Sequence, residues 1–126
     1  MRIRFKKWAR PELEASKFYI DNPEEYKGKW ETLFKNKTTI HLELGCGKGG
    51  FISQIAPKNL NRNYIAIDLV DAMLGLAKRK IEESYKEIKQ KPENIYITRY
   101  DIDRILNIFS PEDKIGRIYI NFCNPW

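Results

Sequence analysis

The fold is decided by residues 42–50, which read LELGCGKGG. Apolar residues alternate with polar ones from Ile40 to Leu44, as in a strand that is buried on one face. The next six residues hold four glycines, which have no Cβ and therefore allow positive φ angles and the close approach of a ligand to the backbone. The stretch predicts a strand that ends in a ligand-binding loop.

Residues 51–56, FISQIA, predict a short helix directly after this loop, and Pro57 is expected to end it. The amides at the start of such a helix point back toward the loop and favour anionic groups or hydrogen-bond acceptors. Strand, glycine loop and helix together are typical of the first half of a nucleotide-binding βαβ unit.

The glycines match two different motifs. Gly45, Gly47 and Gly50 satisfy the dinucleotide pattern G-x-G-x-x-G, which is a weak signal alone. Together with Glu43, the glycines at 45, 47 and 49 also satisfy E-x-G-x-G-x-G, which resembles motif I of the class I methyltransferases that use S-adenosylmethionine. A carboxylate at this position suits an ammonium group and would repel a pyrophosphate. A P-loop is excluded because Lys48 precedes glycine and not Ser or Thr.

Two more strands are predicted to end near acidic residues. Residues 64–67 are an apolar run that ends in Asp68, 68 − 45 = 23 residues after the first glycine, close to the spacing at which a carboxylate accepts hydrogen bonds from ribose hydroxyls. Residues 94–98 form a third strand, followed by Asp101, which can accept a hydrogen bond from an adenine amine. Asp103 is the competing candidate for that contact, or the cap of a short helix at 105–109. Because ligands lie at the carboxyl ends of parallel strands, these acids are expected to share one edge with Glu43.

The remaining elements follow from periodicity. Apolar residues at helical spacing predict a long amphipathic helix over 70–88. Asn22 and Pro23 predict a helix start, and the four apolar residues after it predict one aromatic face against the sheet: Tyr26, Trp30, Leu33 and Phe34. A fourth strand at 117–122 runs into Cys123, Asn124, Pro125 and Trp126.

Composition limits the class of protein. The 126 residues carry a net charge of +6. Residues 1–10 hold five cations and no acid, interleaved with aromatic rings, which is typical of a segment that contacts nucleic acid or, alternatively, of a solvated terminus. The two cysteines form no C-x-x-C motif and there is one histidine, so neither a disulfide framework nor a metal site is predicted. No apolar run approaches the roughly 18 residues of a membrane span. A cytoplasmic protein without a membrane anchor is expected.

The whole chain resembles the bacterial tRNA (guanine-N7-)-methyltransferases. The resemblance rests on the succession of several segments in order: MRIR with Trp8 and Ala9, residues 42–49, Asp68, Asp101, and the final FCNPW. It implies that S-adenosylmethionine is the cofactor and tRNA the partner, and that the cofactor contacts are Glu43, Gly45, Gly47, Gly49, Asp68, Asp101 and Asn124.

The resemblance also assigns a catalytic position to Asn124, where cofactor and guanine meet. The family usually has P-D-P-W there, and this chain has Cys123 and Asn124 in place of Pro and Asp. Asn124 can orient the base through its amide, and Trp126 can stack on it. The family continues past this point into a basic stretch and further strands that help to hold tRNA.

We therefore expect an α/β, Rossmann-like methyltransferase fold with only its first four strands present. Residues 1–37 would form a basic arm with leading helices, and residues 38–126 a cofactor-binding domain truncated after the fourth strand. The expected reaction is methyl transfer to N7 of a guanine in the variable loop of tRNA. The alternatives are an amino-group methyltransferase, a cofactor- and RNA-binding fragment without turnover, and, more remotely, a nicotinamide-dependent reductase.

Overall fold

A parallel sheet organises residues 4–121, which are the part of the chain that the computed structural model describes. Its five strands are β1 (Tyr19–Ile20), β2 (Ile40–Leu44), β3 (Asn63–Asp68), β4 (Ile95–Arg99) and β5 (Ile115–Ile120). The spatial order is β1-β4-β3-β2-β5, with all neighbours parallel. The chain thus moves outward from β2 through β3 to β4 and then returns to place β5 on the other side of β2, which is the switch point of a doubly wound sheet.

The four strands predicted from the sequence are confirmed, and the Rossmann-like α/β class with them. The additional strand, β1, was not predicted. It contributes two residues that pair with Ile97 and Thr98 of β4, and the Thr98 hydroxyl donates a 2.6 Å hydrogen bond to the carbonyl oxygen of Ile20.

Within the described residues, three helices cover one face of the sheet: α1 (Ala9–Glu14), α2 (Ile52–Lys58) and α3 (Asp71–Glu87). Both α1 and α2 pack against α3, the long helix predicted from periodicity. Their apolar side chains form one core with the strand residues Tyr64, Ala66 and Ile97. The expectation that Pro57 ends α2 was wrong, because the helix continues to Lys58 with the proline inside it.

The opposite face is covered by short 3-10 turns rather than by the predicted helix. The segment after Asn22 forms two separate turns, Pro23–Tyr26 and Trp30–Leu33, divided by Gly28 with φ of +78°. The aromatic face was nevertheless predicted correctly: Trp30 is fully buried and stacks on Phe109 at 5.1 Å between ring centroids. Two further 3-10 turns, Ile102–Asn107 and Pro111–Asp113, connect β4 to β5.

A buried carboxylate explains why this segment forms turns. Asp113 accepts hydrogen bonds from the backbone N–H groups of Gly28 (2.9 Å), Trp30 (3.1 Å) and Ser110 (2.8 Å). A continuous helix would use its own carbonyl groups as acceptors for such donors. The long-range bonds to Asp113 instead fasten the two turns to the segment that precedes β5.

Replacing Asp113 by Asn is expected to destabilise the fold by about 2–4 kcal/mol, because it removes a charged acceptor and presents an NH₂ group to buried N–H donors. Urea unfolding measures this difference. The matched control is Glu112→Gln, an exposed neighbour whose loss of charge should change the free energy of unfolding much less than Asp113→Asn does. Equal effects of the two substitutions would contradict the role of Asp113.

The sheet edge at β5 is open within residues 4–121. β5 pairs with β2 on one side, and its apolar residues Ile118 and Ile120 are 53% and 54% exposed. Residues before position 38 contribute β1 to the other edge and α1 to the helical layer. The division at residues 37 and 38 into an arm and a cofactor domain stays a prediction.

Candidate functional site

The carboxyl ends of the four long strands meet at one edge of the sheet, since all are parallel. Glu43 and Asp68 lie here, as predicted: Glu43 is the next-to-last residue of β2, and Asp68 is the last residue of β3. They are close enough for the charge of Asp68 to act on Glu43. Asp101 follows the end of β4, and the backbone N–H of Tyr100 beside it donates to the carbonyl oxygen of Asp68.

The glycine loop is tied to the end of β3. The N–H groups of Gly45 and Cys46 both donate to the carbonyl oxygen of Ile67, at 2.8 and 2.9 Å. The next amide, that of Gly47, donates to the Asp68 carboxylate at 2.8 Å. Consecutive amides can turn toward one strand end in this way because the loop alternates through positive φ angles, which glycine adopts without strain.

The three predicted cofactor-binding glycines have different surroundings. A Cβ added at Gly47 would meet nothing within 4 Å, so the space beside Gly47 is open, whereas one at Gly45 would lie in ordinary contact with Ile102. A Cβ at Gly49 would lie 2.8 Å from the Cα of Ala77 in α3. The structure therefore gives Gly49 a packing role, and its contact with a cofactor stays a prediction.

Glu43 is a buried carboxylate with one bonded and one unbonded oxygen. The residue is 2% exposed, its Oε2 accepts a 3.1 Å hydrogen bond from the side-chain amide of Asn121, and its Oε1 has no hydrogen-bond partner among residues 4–121. Its pKa is raised to about 7, mainly by burial; the hydrogen bond from Asn121 opposes this rise, and the charge of Asp68 adds to it. An unpartnered carboxylate oxygen of this kind favours a ligand that brings a cation or a strong hydrogen-bond donor.

The Asp68 carboxylate already accepts hydrogen bonds from two backbone amides. Besides Gly47, it accepts from the N–H of Val70 at 3.1 Å, so it fixes both the glycine loop and the start of α3. Each carboxylate oxygen retains a second lone pair that can accept a hydrogen bond from a ligand hydroxyl.

The structure shows which of Asp101 and Asp103 caps the helical turn that follows β4. Asp101 is the N-cap of the turn Ile102–Asn107, and its side chain accepts from the N–H of Asp103 at 3.0 Å. The expectation that Asp103 caps this segment was wrong, because the turn begins three residues earlier than predicted. Contact of Asp101 with a cofactor stays a prediction.

Sequence reasoning missed several side chains at this edge. Leu69 and Val70 are exposed apolar residues directly after Asp68, and Ile102 lies beside Gly45. All three side chains can therefore contact an aromatic ring of a bound ligand. The sequence signal that could have found them is their position directly after Asp68 and Asp101, the acids predicted to contact the ligand. Asn121 was also missed, since its contact with Glu43 joins residues 78 positions apart. The predicted catalytic residue, Asn124, lies outside the described residues, as do Cys123 and Trp126.

Part of the basic arm is occupied by contacts with α3. Arg10 forms a 2.8 Å ion pair with Asp71, and the guanidinium of Arg79 lies 3.5 Å from the ring centroid of Trp8. Trp8 therefore packs within the protein, while Arg4 and Lys7 are exposed. Contact of the arm with RNA stays a prediction.

Residues 4–121 contain no helix that is long and apolar enough to cross a membrane. Within the same residues, no group of three or more His, Cys, Asp or Glu side chains is arranged to hold a metal ion.

The doubly wound sheet, with its glycine loop and acidic edge, defines a nucleotide-type α/β domain, and comparison with known proteins identifies its kind. The family model described as "Putative methyltransferase" matches residues 37–126. The chain belongs to this methyltransferase family.

Relatives and one solved structure agree with this placement. The chain is 55% identical over 126 residues to the tRNA (guanine-N(7)-)-methyltransferase of Clostridium beijerinckii, and 56% identical over 127 residues to that of Ruminiclostridium cellulolyticum. In both matches all of this chain is covered, but only 58% and 54% of the relative. A structure of an antibiotic-related methyltransferase is 25% identical, with a TM-score of 0.52, over 75% of this chain and 43% of its own.

Replacing Glu43 by Gln is expected to stabilise the unliganded protein at high pH. Burial raises the pKa of Glu43 from an ordinary value of 4.5 to about 7, so the folded state holds a proton that the unfolded state has lost. The stability of the unsubstituted protein relative to the variant should fall by about 3 kcal/mol between about pH 4.5 and 7.

Urea unfolding of both proteins at a series of pH values measures this effect. The control is Glu93→Gln, at a half-exposed carboxylate paired with Lys35, where the difference should stay within about 1 kcal/mol at every pH. A Glu43→Gln difference that does not change with pH would show that Glu43 is not a desolvated acid.

Proposed function

We propose that the edge formed by β2, β3 and β5 binds S-adenosylmethionine, and that the protein uses it to methylate N7 of a guanine in tRNA. The observation that carries the cofactor proposal is the buried Glu43 carboxylate with an unpartnered oxygen beside a glycine loop. The names of the relatives support the reaction, since the two described above are tRNA (guanine-N(7)-)-methyltransferases.

The residues present fit this cofactor. Glu43 would receive the ammonium of the methionine part, an interaction that satisfies its unpartnered Oε1. The open space beside Gly47 would admit the middle of the molecule against the backbone. Asp68 would accept from ribose hydroxyls, and the apolar side chains of Leu69, Val70 and Ile102 would contact the adenine ring.

When bound, S-adenosylmethionine supplies a methyl group on a positively charged sulfur, open to attack by a nucleophile. Guanine N7 has an in-plane lone pair and no proton, so the protein needs no general base to activate it. The work of the protein is to align the base with the methyl group and to accommodate the positive charge that the base acquires. Asn124 would orient the base and Trp126 would stack on it, so that neutral Asn124 can occupy the position usually held by Asp.

The basic arm would bring the substrate to this edge. Exposed Arg4 and Lys7 can pair with RNA phosphates, and Phe5, which is 78% exposed, can stack on a base. Because tRNA is the proposed substrate, the proposed site of action is the cytoplasm.

The proposal predicts that the protein transfers label from methyl-labelled S-adenosylmethionine to tRNA, at one guanosine of the variable loop. N7-methylguanosine is recognised by strand scission after borohydride reduction and aniline treatment, which leaves exocyclic methylamino products uncut. Replacing guanosine by 7-deazaguanosine removes the acceptor nitrogen and should abolish the transfer. Glu43→Gln should lower it by at least about tenfold, the effect of losing one charge-assisted contact.

Three results would contradict parts of this proposal. Label on an exocyclic amine of adenine or cytosine, or on a protein amide, would indicate an amino-group methyltransferase. Binding of S-adenosylmethionine and tRNA without any transfer would indicate a binding fragment. Transfer that survives 7-deazaguanosine substitution would exclude N7 as the acceptor.

A further inference from the structure

Asn121 connects the end of β5 to the acid of the neighbouring strand. The β2–β5 ladder ends with the pair Leu44 and Ile120, and Asn121 is the next residue along the chain. Its side-chain amide donates to Oε2 of Glu43 at 3.1 Å. This contact crosses the switch point of the sheet, where the chain reverses its direction of strand addition.

The contact makes the two oxygens of Glu43 unequal. Oε2 accepts a hydrogen bond from Asn121, whereas Oε1 is buried and finds no partner within the described part of the chain. A buried carboxylate with no fixed donor could rotate or take up a proton, and either change would remove an oriented acceptor. The amide of Asn121 thus determines which oxygen remains available to a ligand.

We infer that Asn121 is a positioning residue, which orients the Glu43 carboxylate and favours its ionised form so that Oε1 can receive the ammonium group of the cofactor. The inference rests on the proposed function, because it assigns Asn121 a role in the proposed cofactor site. Neither the family match nor the names of the relatives assigns a role to this residue.

The surroundings explain why this position needs a neutral donor. Asp68 faces Glu43 from the end of β3, and its negative charge disfavours a second charge nearby. The thiol of Cys46 lies within the influence of both acids, and burial together with their charges raises its pKa, so it brings no negative charge at neutral pH. The hydrogen bond from Asn121 favours the ionised form of Glu43 in this environment.

The first measurement is the titration of the Glu43 side-chain carboxyl by ¹³C NMR without any cofactor. Asn121→Asp preserves the shape of the side chain but removes the donor and adds a charge, and Asn121→Ala removes the donor alone. Both variants should raise the pKa of Glu43, Asn121→Asp by the larger amount. The control is Tyr119→Phe in β5, which removes a hydroxyl 3.0 Å from His41 and should leave the Glu43 titration unchanged.

The second measurement is calorimetric titration of the same proteins with S-adenosylmethionine at pH 6, 7 and 8. If the pKa of Glu43 rises by about one pH unit, binding at pH 7 should weaken about fivefold, and the loss should shrink as the pH rises. Ionisation of the ligand acts equally on both proteins and cancels in the ratio of their affinities. A substitution that merely loosened the fold would give a ratio independent of pH.

The two measurements separate this inference from the proposed function. An unchanged Glu43 titration in both Asn121 variants, or an affinity ratio that does not vary with pH, would overturn the positioning role. If the Asn121 variants raise the pKa of Glu43 but the unsubstituted protein binds no S-adenosylmethionine, the effect of Asn121 on Glu43 is confirmed. The proposed cofactor would then be wrong, and with it the role of Asn121 in positioning Glu43 for that cofactor.

Discussion

The arrangement of the site depends on three consecutive backbone amides that turn toward the end of β3. The amides of Gly45 and Cys46 share the Ile67 carbonyl oxygen, and that of Gly47 binds the Asp68 carboxylate. These bonds fix the glycine loop to the sheet before any ligand is present, so binding does not have to order the loop. Packing of Gly49 against α3 fixes the other end of the loop.

The same edge carries an energetic conflict at Glu43. Burial opposes its ionisation, and the nearby Asp68 adds to the penalty. A cationic ligand would relieve both effects, because it supplies a partner for the unbonded oxygen and neutralises the local charge. The feature that weakens the unliganded fold is therefore the one that would favour binding, as is common at functional sites.

Local sequence patterns were enough to predict the elements that position the site. Alternation or a continuous apolar run predicted the four long strands, and helical periodicity predicted α3, because each depends on side chains close together in the chain. The 3-10 turns were not predictable in this way, since they depend on Asp113, whose bonds to Trp30 and Gly28 span 83 and 85 residues. β1 is too short to show a pattern, and the contact of Asn121 with Glu43 also depends on the tertiary fold.

The central claim is that the glycine loop and its acids bind S-adenosylmethionine, and calorimetric titration of the unsubstituted protein beside Asp68→Ala tests it most directly. We expect saturable binding of S-adenosylmethionine, a loss of more than about 1 kcal/mol on Asp68→Ala, and no binding of NAD. The control Glu93→Ala, at the amino end of β4, should bind normally. A folded protein that binds NAD, or that binds S-adenosylmethionine equally well without the Asp68 carboxylate, would contradict the account.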